Sequence, residues 1–172
     1  MTISDLFIAA SIARLREEYL PRIRASVDLL DAEGLWWRPK EWTNSVGNLL
    51  LHLDGNVRQW MVSGLGGERD LRDRSEEFRA RESERSAGEL LEGLAATVDE
   101  ACAVIEPFDE ARLAASFQIQ GTATTGIEAI YHVVEHFGWH VGQIVLLTKM
   151  ASARGQELSF YDDEALDGLR ND

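Results

Sequence analysis

Residues 125–148, TGIEAIYHVVEHFGWHVGQIVLLT, decide how this chain is read. The stretch opens with a capping box, Thr125-Gly-Ile-Glu128, whose two ends satisfy each other's orphan backbone donors. Between Ala129 and Thr148 the one charged residue is Glu135, so apolar side chains run almost all round a helix that continues to about Arg154. Such a helix belongs at the centre of an all-α domain. A membrane span is the wrong reading, because three histidines, a glutamate and Gln143 would be costly in lipid.

Three more helices precede it. From about Ser4 to Leu30, the apolar residues Leu6, Phe7, Ile12, Leu15, Tyr19, Ile23, Val27 and Leu30 recur at helical steps. Pro21 predicts a kink within that run. From about Asn44 to Leu65, Val46, Leu49, Leu50, Leu53, Val57, Trp60 and Met61 share a face, with Gly64, Gly66 and Gly67 reading as the stop. A second capping box, Ser86-Ala-Gly-Glu89, opens the third helix, which runs through Leu94, Val98, Ala101 and Ile105 to Pro107. Only Phe117-Gln-Ile-Gln120 alternates like a strand, and it is too short to build a sheet. The expected fold is therefore all-α: a four-helix bundle with long connections over residues 1–155. An acidic tail, 156–172, packs on it or extends from it.

The links at about 31–43, 66–85 and 107–124 are long for a bundle, so an up-down order of neighbours does not follow. Segment 68–85 holds six Arg against seven acids, a net charge of -1, and reads as a solvated loop or short surface helix rather than an anion patch. The cluster Trp36-Trp37-Arg38-Pro39, with Trp42, is expected to cap one end of the bundle.

Composition narrows the function. A chain of 172 residues, 45% apolar and 27% charged, fits one soluble domain with one substantial core. Seventeen Lys and Arg against thirty Asp and Glu give -13, a field that repels nucleic acid and anionic membranes. The single Cys102 forms no internal disulfide and supplies no zinc cluster. The start, MTISDLFI, has no basic residue ahead of its short apolar run, so no secretory signal is expected and the cytoplasm is the default setting.

All four histidines fall in two of the helices: His52 in the second, and His132, His136 and His140 in the fourth. Residues four apart on a helix differ by about 40° and about 6 Å, so neighbouring imidazoles share a face. All three in line would diverge by about 80° and about 12 Å, too far for one ion. His136 and His140 can converge on a metal, a third ligand must come from elsewhere, and His52 is the remaining histidine. Asn56 and Gln59 follow His52 as a polar stripe beside the apolar face, as a site inside a bundle would have. The competing reading is ordinary: core histidines are commonly satisfied by backbone carbonyls. For His132, packing or a hydrogen bond behind the site is the favoured role.

Other constellations are absent. A ferritin-like di-iron site needs Glu-x-x-His on two helices, but Glu135 adjoins His136 and no Glu lies between Glu41 and Glu68. There is no His-Glu-x-x-His, no phosphate-cradling Gly-rich loop and no Gly-x-Ser-x-Gly elbow.

Taken together, the N-terminal helix, Leu35-Trp-Trp-Arg-Pro39, the stretch Asn44–Asn56 (NSVGNLLLHLDGN) and Tyr131–Gln143 (YHVVEHFGWHVGQ) resemble the DinB-like (DinB/YfiT) superfamily. The resemblance spans roughly residues 1–155. It implies a four-helix bundle regarded as a metal-dependent enzyme, with one histidine of the second helix and two of the fourth as ligands; the matching positions are His52, His136 and His140. Val141 stands where many relatives have Arg or Thr before Gly-Gln. Three neutral imidazoles leave a coordination position open, where a bound water could become hydroxide or a thiol could sit as thiolate. Relatives include transferases and isomerases that use low-molecular-weight thiols, so hydrolase and thiol S-transferase both follow, acting on a small-molecule substrate. The alternative is a non-catalytic metal-binding or stress-associated bundle. Zinc is the first expectation for the ion, with Ni, Fe or Mn also accepting imidazole. His132, Asn56, Gln143 and Glu135 are candidates to stand behind the ligands. No residue is spaced as an obvious general base. The resemblance also implies a homodimer, with the first helix and Phe160-Tyr161 as candidate contacts.

Overall fold

The computed structural model describes residues 1–81 and 85–160. The described residues are mostly helical, with one small antiparallel sheet. Helix α1 (Ile3–Ala13) continues through a π-helical segment (Arg14–Tyr19) into α2 (Leu20–Val27). A short α3 (Ala32–Trp36) leads to α4 (Val46–Val57), which widens into a second π-helical segment (Arg58–Leu65). Helix α5 (Arg74–Arg79) lies in the following link, then α6 (Ala87–Ile105) and α7 (Glu110–Ala114). A hairpin, β1 (Ser116–Ile119) and β2 (Thr122–Thr125), runs directly into α8 (Gly126–Ala151), and a 3₁₀ turn (Gly155–Glu157) ends the described chain. The part of the expected tail beyond residue 160 lies outside the described residues. No described helix is long and apolar enough to cross a membrane.

Local chemistry sets the helix ends. The capping boxes at Ser86/Glu89 and Thr125/Glu128 both form, and two more appear at Thr2/Asp5 and Ser45/Asn48. Pro21 has no N–H to give to the turn before it. The ladder accommodates this by widening: the preceding stretch is π-helical, with the Leu20 N–H bonded to the Leu15 carbonyl five residues back. The four long helical stretches then pack on one another, α8 against α2, α4 and both π segments, and α6 against α4. Leu15, Ile23, Leu49, Leu53, Met61, Leu94, Ile105, Ile130, Phe137 and Ile144 are fully buried at their junction. Tyr19 stacks on Phe137 with ring centroids 5.8 Å apart.

Four expectations are corrected. A sheet does form: Phe117–Ile119 pairs with Thr122–Thr124, although the second strand lacks apolar alternation. The turn works because Gln120 (φ 54°) and Gly121 (φ 76°) are both left-handed, which matches the twist of the strands. Gly64 is not a stop. It lies inside the helix, where a Cβ would come within 2.6 Å of Ile119 Cδ1, so the hairpin's buried residue needs a bare backbone there. Helix α8 is not enclosed all round: Tyr131, Trp139, Leu146 and Met150 are each more than half exposed along one flank. Trp42 caps nothing, being 83% exposed, while Trp36 lies across the start of α4.

Candidate metal centre

Helices α4 and α8 bring three histidines to one point. His52 Nε2 lies 3.1 Å from His136 Nε2, which lies 3.1 Å from His140 Nε2. One donor atom from each of the three is within 4.8 Å of the others. Helical spacing places His136 and His140 one turn apart on α8, and the packing of α4 on α8 carries His52 across to them. His132, one turn earlier, does not join; its ring lies tilted against Trp60 with centroids 4.1 Å apart and stacks on the His136 ring at 5.5 Å.

Outer hydrogen bonds fix which nitrogen is bare in two of the three rings. His52 Nδ1 lies 2.8 Å from Glu77 Oε2, which can only accept, and 3.1 Å from Arg72 Nη2, which can only donate; the shorter contact, to the carboxylate, places the proton on Nδ1 and turns the Nε2 lone pair to the centre. His140 Nδ1 likewise donates to Gln143 Oε1 at 2.9 Å. A single proton on His136 Nε2 could satisfy one of its two close neighbours and no more. The remaining contact sets two lone pairs face to face, which a cation relieves. Neighbouring ligands of a tetrahedral zinc at about 2.0–2.1 Å stand about 3.3 Å apart, close to the spacing seen. The residues present therefore fit a metal ion.

Charge and burial favour the neutral form of the two donors on α8. Burial, then the neighbouring His140, His52, His132 and Arg72, pushes His136 down to about 3. Burial also lowers His140, against the hydrogen bond to Gln143. Neutral imidazole is the form that binds metal.

Behind His52 lies a buried network that the sequence pattern does not announce. Arg72 clamps the Glu77 carboxylate at 2.6 and 2.8 Å, with both side chains under a tenth exposed. Burial alone would raise the Glu77 carboxyl, but the hydrogen bonds from Arg72 and His52 and the Arg72 charge bring it below its usual value. Arg72 also reaches Gln59 Oε1 at 2.8 Å, and Gln59 in turn donates to Asp70. Gln59 thus faces this network rather than the triad. Within α4, Gly55 makes room: a Cβ there would collide with Glu77 Oε1 and come 3.0 Å from Arg72 Nε. The segment expected as a solvated loop or short surface helix does hold a short helix, α5, but Arg72 and Glu77 make part of it a packed element at the site. Its clue in the sequence is the lack of any carboxylate on the second helix positioned to meet His52, which leaves the link after it to supply one. With seven acids in that link, the clue does not choose.

The other candidates fall as follows. Asn56 is buried, and among the described residues its Oδ1 has no partner; the same holds for His136 Nδ1 and Trp60 Nε1. Burial lowers the pKa of His132, while the charge of Glu135 opposes that shift. Glu135 itself is exposed and lines a cavity of about 530 Å³ with Tyr19, Trp139 and Phe160.

Residues 2–160 match the model of a family described as Protein of unknown function (DUF1572). In structure, the chain is similar to a DinB-like protein from Bacillus cereus ATCC 10987, with a TM-score of 0.61 and 14% identity. The match covers 78% of this chain and 87% of that one, and at such identity the likeness is one of fold. No curated protein matches the chain.

Proposed function

The chain belongs to the DUF1572 family, a DinB-like family, and from that premise we propose that it is a divalent-metal-binding protein working as a metal-dependent hydrolase or low-molecular-weight-thiol S-transferase. The observation that carries this reading is the convergence of His52, His136 and His140 through Nε2, with two of the three rings turned by acceptors at Nδ1. Zinc is the first choice of ion. When bound by three imidazoles it would supply an open position that makes hydroxide from water or thiolate from a thiol near neutral pH.

The protein's own part is to hold that position ready. Glu77 accepts the Nδ1 proton of His52, Gln143 that of His140, and burial denies all but the most acidic solution a proton for His136. In this reading residues 1–155 form one four-helix bundle, made of the four long helical stretches, that acts in the cytoplasm on a small molecule and not on nucleic acid. The pairing surface of a homodimer would be the first helix with Phe160; Tyr161 lies outside the described residues. One observation favours a second reading, a non-catalytic metal-binding bundle. A cavity of about 390 Å³ beside the centre is lined by Arg72, Glu77, Asp54 and Asp70 rather than by the triad.

Metal content of the purified chain and turnover on ester, amide and thiol-acceptor panels with metal restored test the proposal. About one ion per chain with turnover supports the enzyme. One ion without turnover on any panel supports the second reading, and no ion defeats both.

A further inference from the structure

The link between α4 and α6 is fastened to α4 through the side chains of two residues, Asn48 and His52, and His52 is a candidate ligand. The Glu77 carboxylate sits on His52 Nδ1 at 2.8 Å, and the Phe78 ring lies 4.7 Å from the His52 ring. Asn48 Nδ2 donates to the carbonyls of Glu77 and Ala80 at 2.8 and 2.9 Å. Arg38 donates to the Ala80 carbonyl at 2.7 Å. A buried carboxylate is costly unless paired, and Arg72 pairs it. Gly55 gives up helix propensity to let the pair lie against the α4 backbone. Fastening of the segment's backbone at Glu77 and Ala80, with a paired carboxylate set on an imidazole nitrogen, exceeds what closing a surface loop requires.

Building on the metal reading above, we propose that segment 70–80 is a strap whose docking is coupled to occupation of the triad, with Glu77 as the positioning residue. An uncharged imidazole has one proton for two nitrogens. With the strap docked, the Nδ1 proton goes to the carboxylate in a charge-assisted bond, and Nε2 is bare for an ion. With the strap away, the proton is free to move to Nε2 and be donated across 3.1 Å to His136 Nε2, which closes the centre to metal. The coupling is reciprocal: whatever factor the docked strap adds to metal affinity, the ion adds to docking. Loss of an outer partner of this kind costs about 10- to 100-fold in metal affinity, so that is the factor expected on both sides.

The test uses zinc with the full chain: competition titration of wild type, Glu77→Gln and Gly55→Ala, together with amide hydrogen exchange with and without zinc. Gly55→Ala alters no ligand and no member of the clamp, and on an ordinary helix would stabilise. Expected are a 10- to 100-fold loss of zinc affinity in both variants, unchanged protection in α6, and exchange over 74–80 that zinc slows in wild type but much less in Glu77→Gln. If Gly55→Ala loses protection in α6, the zinc affinity of Glu77→Gln alone decides. A wild type that binds zinc while the folded variants bind it equally well overturns the coupling alone, as does exchange over 74–80 that zinc leaves unchanged. A wild type that takes up no zinc defeats the metal reading, and the strap's role with it.

Discussion

His52 and His140 present the same atom to the same point but are held there by opposite means. His140 is turned by Gln143, three residues along its own helix, at an exposed position. His52 is turned by Glu77, twenty-five residues away in another element, with both side chains under a tenth exposed and Arg72 behind them. The local partner comes with the helix and competes with water, so it contributes about 1 kcal/mol. The distant one needs a whole segment in place, but its charged hydrogen bond works in the dry and is roughly twice as strong. One side of the centre is preset by secondary structure; the other depends on tertiary structure and can be changed through it.

The largest expected effect ignores that asymmetry. His52→Ala, His136→Ala and His140→Ala should each empty the site after identical dialysis, whereas His132→Ala should retain the ion, as elemental analysis will show. Should His132→Ala empty it while His52→Ala leaves it full, the comparison has been drawn between the wrong residues. Next comes Arg72→Met, which strands the Glu77 carboxylate in the interior. It should cost about 3–5 kcal/mol of stability in denaturant titration, and a change within about 1 kcal/mol would mean that the His52 side is no drier than the other.

Acid should act on the metal-free chain in a defined direction. His136 stays neutral in the fold down to about 3, while the unfolded imidazole takes a proton near about 6.5. Its contribution is therefore full above that value and is lost as the pH falls from there towards 3. Thermal melts of chelated protein at falling pH should show a steeper loss for wild type than for His136→Gln; parallel curves would remove the buried neutral ring from the account. The smallest effect belongs to Gln143→Ala, about two- to fivefold in zinc affinity, the worth of one exposed hydrogen bond. A loss as large as that of Glu77→Gln would erase the contrast between the two sides.

What the sequence discloses follows the same division. Patterns that repeat within a helix are legible: the long helical stretches, the capping boxes at Ser86 and Thr125, and the one-turn spacing of His136 and His140. His52 is legible by elimination, since it is the one histidine outside the fourth helix. Glu77 and Arg72 are hidden because their meaning comes from a contact across the fold, and among six arginines and seven acids nothing local marks them. The hairpin escapes because its second strand, Thr122–Thr125, has no apolar alternation. The open flank of α8 escapes for the converse reason: an apolar side chain reads as core whether or not a neighbour covers it.

The two π-helical segments have a consequence for chain length. A π turn holds one residue more than an α turn, so the helix that bears His52 carries slack beyond it, at Arg58–Leu65. Deleting one residue there lets the ladder tighten to α, with the residues on either side keeping their faces. Helix α8 is α throughout and has no such reserve. A single deletion between His136 and His140 would rotate everything beyond it by about 100° and swing His140 out of the centre. Length variation among related chains should therefore gather in the first of these helices and be purged from the second.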